Sequence, residues 1–171
     1  ISKIQTALLQ ERLGDGYHVE LAMRYQTPSI ETALANMKAG LVDSIEVMPL
    51  FPQYASASNG SVMQKVMELL SKWPTIPPVH FHGSFHDNKL MIEAFADNAK
   101  KYQPESYDQV LFSFHGLPER QLIKCDHSGH HCLKKENCCS TLTDVNKYCY
   151  SAQCHDTARL IAAELNIPAD K

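Results

Sequence analysis

The apolar run Val110-Leu111-Phe112-Ser113-Phe114 ends on His115, and Gly116 and Pro118 break the chain directly after it. Such a run, bounded by such residues, predicts a buried strand over 110–114. That strand delivers one imidazole to its C-terminal end, the edge of an open α/β sheet where ligands collect. An imidazole there can accept a proton or contact a metal near neutral pH. Taken alone, a histidine in this position can equally serve only to cap a strand. A second concentration of reactive groups lies just downstream. Of the six cysteines, Cys125, Cys132, Cys138, Cys139 and Cys149 fall between positions 121 and 150, and Cys154 follows. Thiolates are soft ligands, and four of them complete a tetrahedral zinc site or a two-iron cluster. A bound centre would staple a segment with too few apolar residues to fold by itself. The spacing leaves iron–sulfur and zinc open: there is no Cys-x-x-Cys pair, and the adjacent Cys138-Cys139 is unusual for a zinc ribbon. His127, His130 and His131, interleaved with the cysteines, read as solvated loop residues.

These groups need a scaffold, and strand and helix signals alternate along the chain. Ile4, Ala7, Leu8 and Leu9 form the apolar stripe of an opening helix, and a strand follows over 18–25. Pro28-Ser29 starts a helix carrying Ile30, Ala33, Leu34 and Met37, closed at Gly40. Next come a strand over 44–50 and a helix from about Ser61 with Val62, Val66, Leu69 and Leu70 on one side. Trp73-Pro74 ends that helix, and Pro77-Pro78 leads into a strand over 79–84. Asp87 is placed to cap a helix to about Tyr102, with Leu90, Met91, Ala94 and Phe95 inward. A last helix over 151–166 carries Ala158, Ile161, Ala162 and Leu165 and stops by Pro168. Short connections between such units predict an α/β fold, a parallel sheet flanked by helices on both faces. The polar stretch 121–150 is too long for an ordinary connection, so it is either functional or disordered.

The bulk numbers fit one domain. The chain has 171 residues, 44% of them apolar, with 16 Lys and Arg against 19 Asp and Glu for a net charge of −3. That balance gives no basic surface for nucleic acid. No apolar run approaches the ~18 residues of a membrane span, and no secretory signal opens the chain. A cytoplasmic setting follows as the default, where cysteines favour metal ligation over disulfides. An upstream signal peptide would reverse that, since the first residue is Ile1.

Several segments, in order along the chain, resemble the ferrochelatases, the enzymes that insert Fe2+ into protoporphyrin IX to form protohaem. Ser113-Phe114-His115-Gly116-Leu117-Pro118-Glu119-Arg120 resembles their signature. Arg24-Tyr25 with Pro28 and Glu31 is similar to their Arg-Tyr segment, and Pro49-Leu50-Phe51-Pro52-Gln53-Tyr54-Ala55-Ser56 to their Pro-Gln-Tyr-Ser loop. His86-Asp87 with Ile92-Glu93-Ala94-Phe95-Ala96 resembles the next strand-to-helix passage. Tyr150-Ser151-Ala152-Gln153-Cys154 with Thr157-Ala158-Arg159 resembles the helix after the signature.

The resemblance implies a Rossmann-like chelatase lobe spanning 1–171, with a cysteine-rich insertion at about 121–150. It implies His115 as proton acceptor or as the residue contacting the substrate Fe2+. Arg24 would pair with a porphyrin propionate or a cleft carboxylate, while Tyr25 and Tyr54 supply aromatic walls. Certain bacterial members carry a [2Fe-2S] cluster on an internal insertion, which this segment resembles. Its ligands would be Cys125, Cys132, Cys138 and Cys139, with Cys149 in reserve and zinc as the alternative centre. Cys154 falls in a helix that cluster-free relatives share, and reads as structural. Ferrochelatases have two similar lobes. This chain would then be most of the first, lacking its opening strand and the second lobe with its acidic partner, and inactive in isolation. The Gly-Asp-Pro-Tyr segment that often follows the signature is replaced by the insertion. Peripheral contact at the inner membrane fits a greasy substrate. Two further readings are a chelatase for another metal or tetrapyrrole, such as a cobalt chelatase, and a non-catalytic iron–sulfur or zinc module.

Overall fold

A computed structural model describes residues 1–168; the last three positions of the expected 1–171 domain lie outside the described residues. The chain divides into two compact units, Ile1–Pro49 with Asn59–His82, and Leu50–Ser58 with Gly83 onward.

The first unit holds helices α1 (Ser2–Leu13), α2 (Ile30–Ala39) and α3 (Ser61–Leu70) and strands β1 (Ile45–Val47) and β2 (Val79–Phe81). Ser29 starts α2 by accepting the Thr32 N–H on its hydroxyl at 3.1 Å, which satisfies one donor the helix leaves open. β1 and β2 run parallel, pairing Ile45 with Val79, Glu46 with His80 and Val47 with Phe81. Parallel neighbours need a crossover, and α3 lies within it. Ile30 and Leu34 from α2, Ile45 from β1, and Val66, Leu69 and Leu70 from α3 are buried in one apolar core, with Val47, Val79 and Phe81 against it. On the other side of the strands, Glu46 takes His80 Nδ1 at 2.6 Å and His82 Nε2 at 2.9 Å. Those hydrogen bonds hold its carboxyl below the ordinary carboxylate range.

The second unit holds α4 (Lys89–Lys100), α5 (Glu119–Lys124) and α6 (Tyr150–Glu164), with α4 packed on α6. Asn88 caps α4, accepting the Met91 N–H at 3.3 Å, where the sequence suggested Asp87. Its buried positions are Ile92 and Ala96, one turn apart, whereas Leu90 is 74% exposed. The expected inward set of Leu90, Met91, Ala94 and Phe95 is therefore rotated from the true one. On α6 the buried set is Ala152, Gln153, Cys154, Thr157 and Ile161, so only Ile161 of the four expected residues is fully buried. The apolar stripe of α1 also stays open, since no α1 residue is buried. Buried polar positions such as Gln153 and Thr157 fall outside an apolar stripe read by helical spacing.

Two expected strands do not form. Residues 18–25 make only a single bridge, Met23 with Ser29. Residues 110–114 are irregular, and Leu111 is 88% exposed. A strand exists through its ladder partner, and an apolar run carries no information about whether one stands beside it. The α/β class holds in the smaller form of a two-stranded parallel sheet with six helices among the described residues.

Segment 121–150 folds through its own polar groups. The Asp126 carboxylate accepts the backbone N–H of Ser128, Gly129, His131 and Cys132 and the Ser128 hydroxyl, at 2.6–3.2 Å. Those donors, the Ser128 hydroxyl first, hold its carboxyl well below the usual carboxylate range. Asn146, 1% exposed, donates to Cys138 O and Thr141 O and accepts from Thr143.

Candidate functional site

His115 sits on the irregular passage between 110 and α5, exposed to solvent. Tyr150, the first residue of α6, has its phenol within electrostatic reach of Cys154 and of the His115 backbone. Burial, followed by the Cys154 contact, pushes the phenol up to about 12. The His115 side chain itself stays open to solvent.

Tyr54 belongs to the same unit. Its backbone N–H donates to Gln153 Oε1 at 2.6 Å, and its ring meets Tyr148 edge-on at 6.4 Å between centroids. The preceding Gln53 donates to Thr157 Oγ1 at 2.9 Å. Phe85 N–H to Pro52 O at 2.9 Å closes the loop from its other side. Just beyond, His86 is buried beneath α6, with Asp156 Oδ2 3.4 Å from its Nε2.

Arg24 and Tyr25 lie in the first unit. Arg24 Nε donates to Ser61 Oγ at 2.9 Å and Ser61 O at 3.2 Å, at the start of α3. Its guanidinium stacks on the Tyr25 ring at 4.6 Å from the centroid, a cation–π contact on a tyrosine that is 78% exposed. The pair presents a fixed positive charge and an aromatic face, the combination that binds an anionic aromatic molecule.

The thiols of the insertion gather in the second unit. Cys132 and Cys149, each 2% exposed, pack with Ala152 and against Cys139. Burial first, then the neighbouring Cys149, pushes the Cys132 thiol up to about 12. Cys149 also raises Cys125, Cys139 and Cys154, after the larger effect of burial in each. Cys138 and Cys139 stand 3.8 Å apart, sulfur to sulfur, and line a groove of about 380 Å³ with His155 and Arg159. The donor chemistry suits a soft metal. The arrangement does not close around one: among the described residues no group of three or more His, Cys, Asp or Glu side chains stands ready to hold a metal ion.

Two sets of residues were missed from the sequence as parts of the site. Tyr150, Gln153 and Thr157 were read only as family pattern, although their 3- and 4-residue spacing puts them on one helix face. Asp126 and Asn146 shape the insertion, and in sequence they look like any polar loop residues.

A family model described as ferrochelatase matches residues 1–171. Similar curated proteins include a ferrochelatase of Legionella pneumophila (strain Corby), 41% identical over 159 residues that make up 93% of this chain and 46% of that protein. A ferrochelatase of Pseudomonas fluorescens (strain Pf0-1) is 38% identical over 154 residues, 90% of this chain and 45% of that protein. One from Coxiella burnetii (strain Dugway 5J108-111) is 38% identical over 168 residues, 96% of this chain and 46% of that protein. The chain spans about half the length of the curated relatives it matches. No helix among the described residues is long and apolar enough to cross a membrane. With a match running from the first residue to the last, the chain belongs to the ferrochelatase family.

Proposed function

We propose that this chain supplies one lobe, with a cysteine-rich insertion, of an enzyme that inserts Fe2+ into protoporphyrin IX. The observation that carries the reading is His115, an exposed imidazole directly before the Gly116-Leu117-Pro118 passage into α5, in a chain matched throughout by the ferrochelatase family model. Metallation must remove two pyrrole protons, and a neutral imidazole near the ring centre can take them in turn or contact the incoming iron. Tyr54 would supply an aromatic wall to the porphyrin. Arg24 pairs with a propionate, its Nε hydrogen bonds to Ser61 fixing the stem while Tyr25 lies flat under the fork. A second lobe of the same protein would complete the cleft and bring the acidic partner. Exposed apolar residues such as Leu111 would suit peripheral contact at the inner membrane, with the protein in the cytoplasm.

The insertion is proposed to hold a [2Fe-2S] cluster, with ligands drawn from Cys125, Cys132, Cys138 and Cys139, and Cys149 in reserve. Support comes from the donor chemistry and from the gathering of these thiols in one unit. When bound, such a centre would cross-link the insertion, and no chemical step is routed through it. A cluster that takes no part in the imidazole's task would stabilise the lobe or sense oxidants.

The test is anaerobic metallation of protoporphyrin IX by the intact enzyme, followed as loss of porphyrin fluorescence. The expected result is that His115→Ala lowers kcat by roughly 100-fold or more, while turnover within about threefold of the unsubstituted enzyme overturns the role. Iron, zinc and acid-labile sulfide assayed on the same sample decide the centre. Matched iron and sulfide support the cluster, whereas zinc alone or no metal removes it.

A further inference from the structure

We infer that Gln153 is a positioning residue, which sets the backbone of the Gln53-Tyr54 turn and thereby the aromatic wall that Tyr54 offers the porphyrin. The inference rests on the chelatase reading above. Gln153 is 1% exposed, and both ends of its amide are committed. Oε1 accepts the Tyr54 N–H at 2.6 Å and Nε2 donates to Lys147 O at 2.6 Å. An acceptor is required on one side and a donor on the other, so the amide has a single productive orientation. One turn further along α6, Thr157 accepts from Gln53 Nε2 at 2.9 Å and donates to His86 O at 2.8 Å or Gln153 O at 3.0 Å. Consecutive loop residues are therefore gripped by two side chains on one helix face.

Such a grip exceeds what holding a loop down requires. Burying a primary amide is costly unless every polar atom is matched, and an apolar side chain would fill the same space without that constraint. What the amide adds is direction: a bond to the Tyr54 peptide itself fixes where that side chain starts. Through Lys147 O the same amide is also attached to the end of the cysteine-rich segment, whose Tyr148 ring rests on Tyr54. The turn thus takes its position jointly from α6 and from the insertion, with Gln153 as the shared contact.

Three variants of the intact enzyme separate positioning from bulk stability. Gln153→Met removes both hydrogen bonds at nearly constant shape. Gln153→Glu keeps the acceptor for Tyr54 N–H and loses the donor. Ile161→Ala, on the same helix and wholly apolar, provides a destabilised reference. The readouts are kcat and KM for protoporphyrin IX with Fe2+, thermal midpoint, and hydrogen exchange of the Tyr54 amide. The inference expects Q153M to speed Tyr54 exchange and lower kcat/KM at least tenfold. Q153E, whose second carboxylate oxygen faces Lys147 O, should lower the midpoint further than Q153M yet disturb Tyr54 exchange and kcat/KM less, because it keeps the acceptor for the Tyr54 N–H. I161A should lower the midpoint and leave kcat/KM in place. Loss of kcat/KM in proportion to the midpoint across all three variants overturns the inference, as does Q153M with unchanged kcat/KM. If the unsubstituted enzyme fails to metallate porphyrin, the chelatase reading falls and takes this role with it. In that case the Tyr54 exchange data would report only loop anchoring.

Discussion

Asn146 offers the sharpest check on how the insertion is ordered. Its side chain is 1% exposed and makes contacts at every polar atom: Cys138 O and Thr141 O at 2.9 Å each, Thr143 N at 2.6 Å and Thr143 Oγ1 at 3.1 Å. A neutral hydrogen bond contributes about 0.5–1.5 kcal/mol net, and a buried partner left without one costs about 1–3 kcal/mol. Asn146→Ala strands two carbonyls and one N–H, though solvent entering the loop will satisfy part of them. A loss of about 3 kcal/mol is the working figure, which is roughly a 100-fold rise in local opening. Asn146→Asp keeps the acceptor oxygen and turns a carboxylate toward two carbonyl oxygens, so it should be worse than alanine. The assay is native-state hydrogen exchange on metal-free protein, read for amides between 126 and 149 and for those of β1. Loop amides should exchange roughly 100-fold faster while β1 amides hardly change, because local and global opening are separate events. A loop rate that rises less than about fivefold, or aspartate milder than alanine, would refute the claim that polar side chains order this segment without metal.

Two further outcomes follow. The thiols of Cys132 and Cys154 are pushed up to about 12 and about 11, and the Tyr150 phenol to about 12, chiefly by burial. Without a bound metal, the folded chain thus keeps protons that the unfolded chain releases from about pH 8.5 upward, so the stability of metal-free protein should fall as pH rises from there; a urea midpoint of that protein flat between about pH 8.5 and 11 would contradict it. In the first unit, Leu34 is 5% exposed in the core between α2, α3 and the sheet. Leu34→Ala should cost about 2–5 kcal/mol in urea unfolding, and a loss under about 1 kcal/mol would show that the core does not depend on it.

Local signals were well expressed in this chain. Ser29 starts α2 because a hydroxyl before the first turn is read by neighbouring backbone alone, and Gly40 ends it where expected, although it stays right-handed and Leu41 takes the left-handed conformation at φ 52°. Ile30, Ala33 and Leu34, and Val66, Leu69 and Leu70, declare their buried faces by spacing, since one helical turn is set by the backbone. His115, Arg24 and Tyr54 could be singled out for the same reason, as a short ordered pattern of residue types. Partnership is a different matter. Whether residues 110–114 pair as a strand depends on a neighbour far away in sequence, and here they do not. The burial of Gln153 and Thr157 could not be read from periodicity, because a polar residue is buried only when specific partners, here Tyr54, Lys147 and Gln53, arrive to match it. The gathering of the thiols around Cys149 likewise depends on how residues 121–150 turn, and Asp126 and Asn146 set those turns through bonds invisible in spacing. The sequence by itself determined the family, the long helices (α5 excepted) and the residue types available for chemistry. Only the tertiary structure decided which of them meet, because hydrogen-bond matching and burial are properties of pairs brought together by folding.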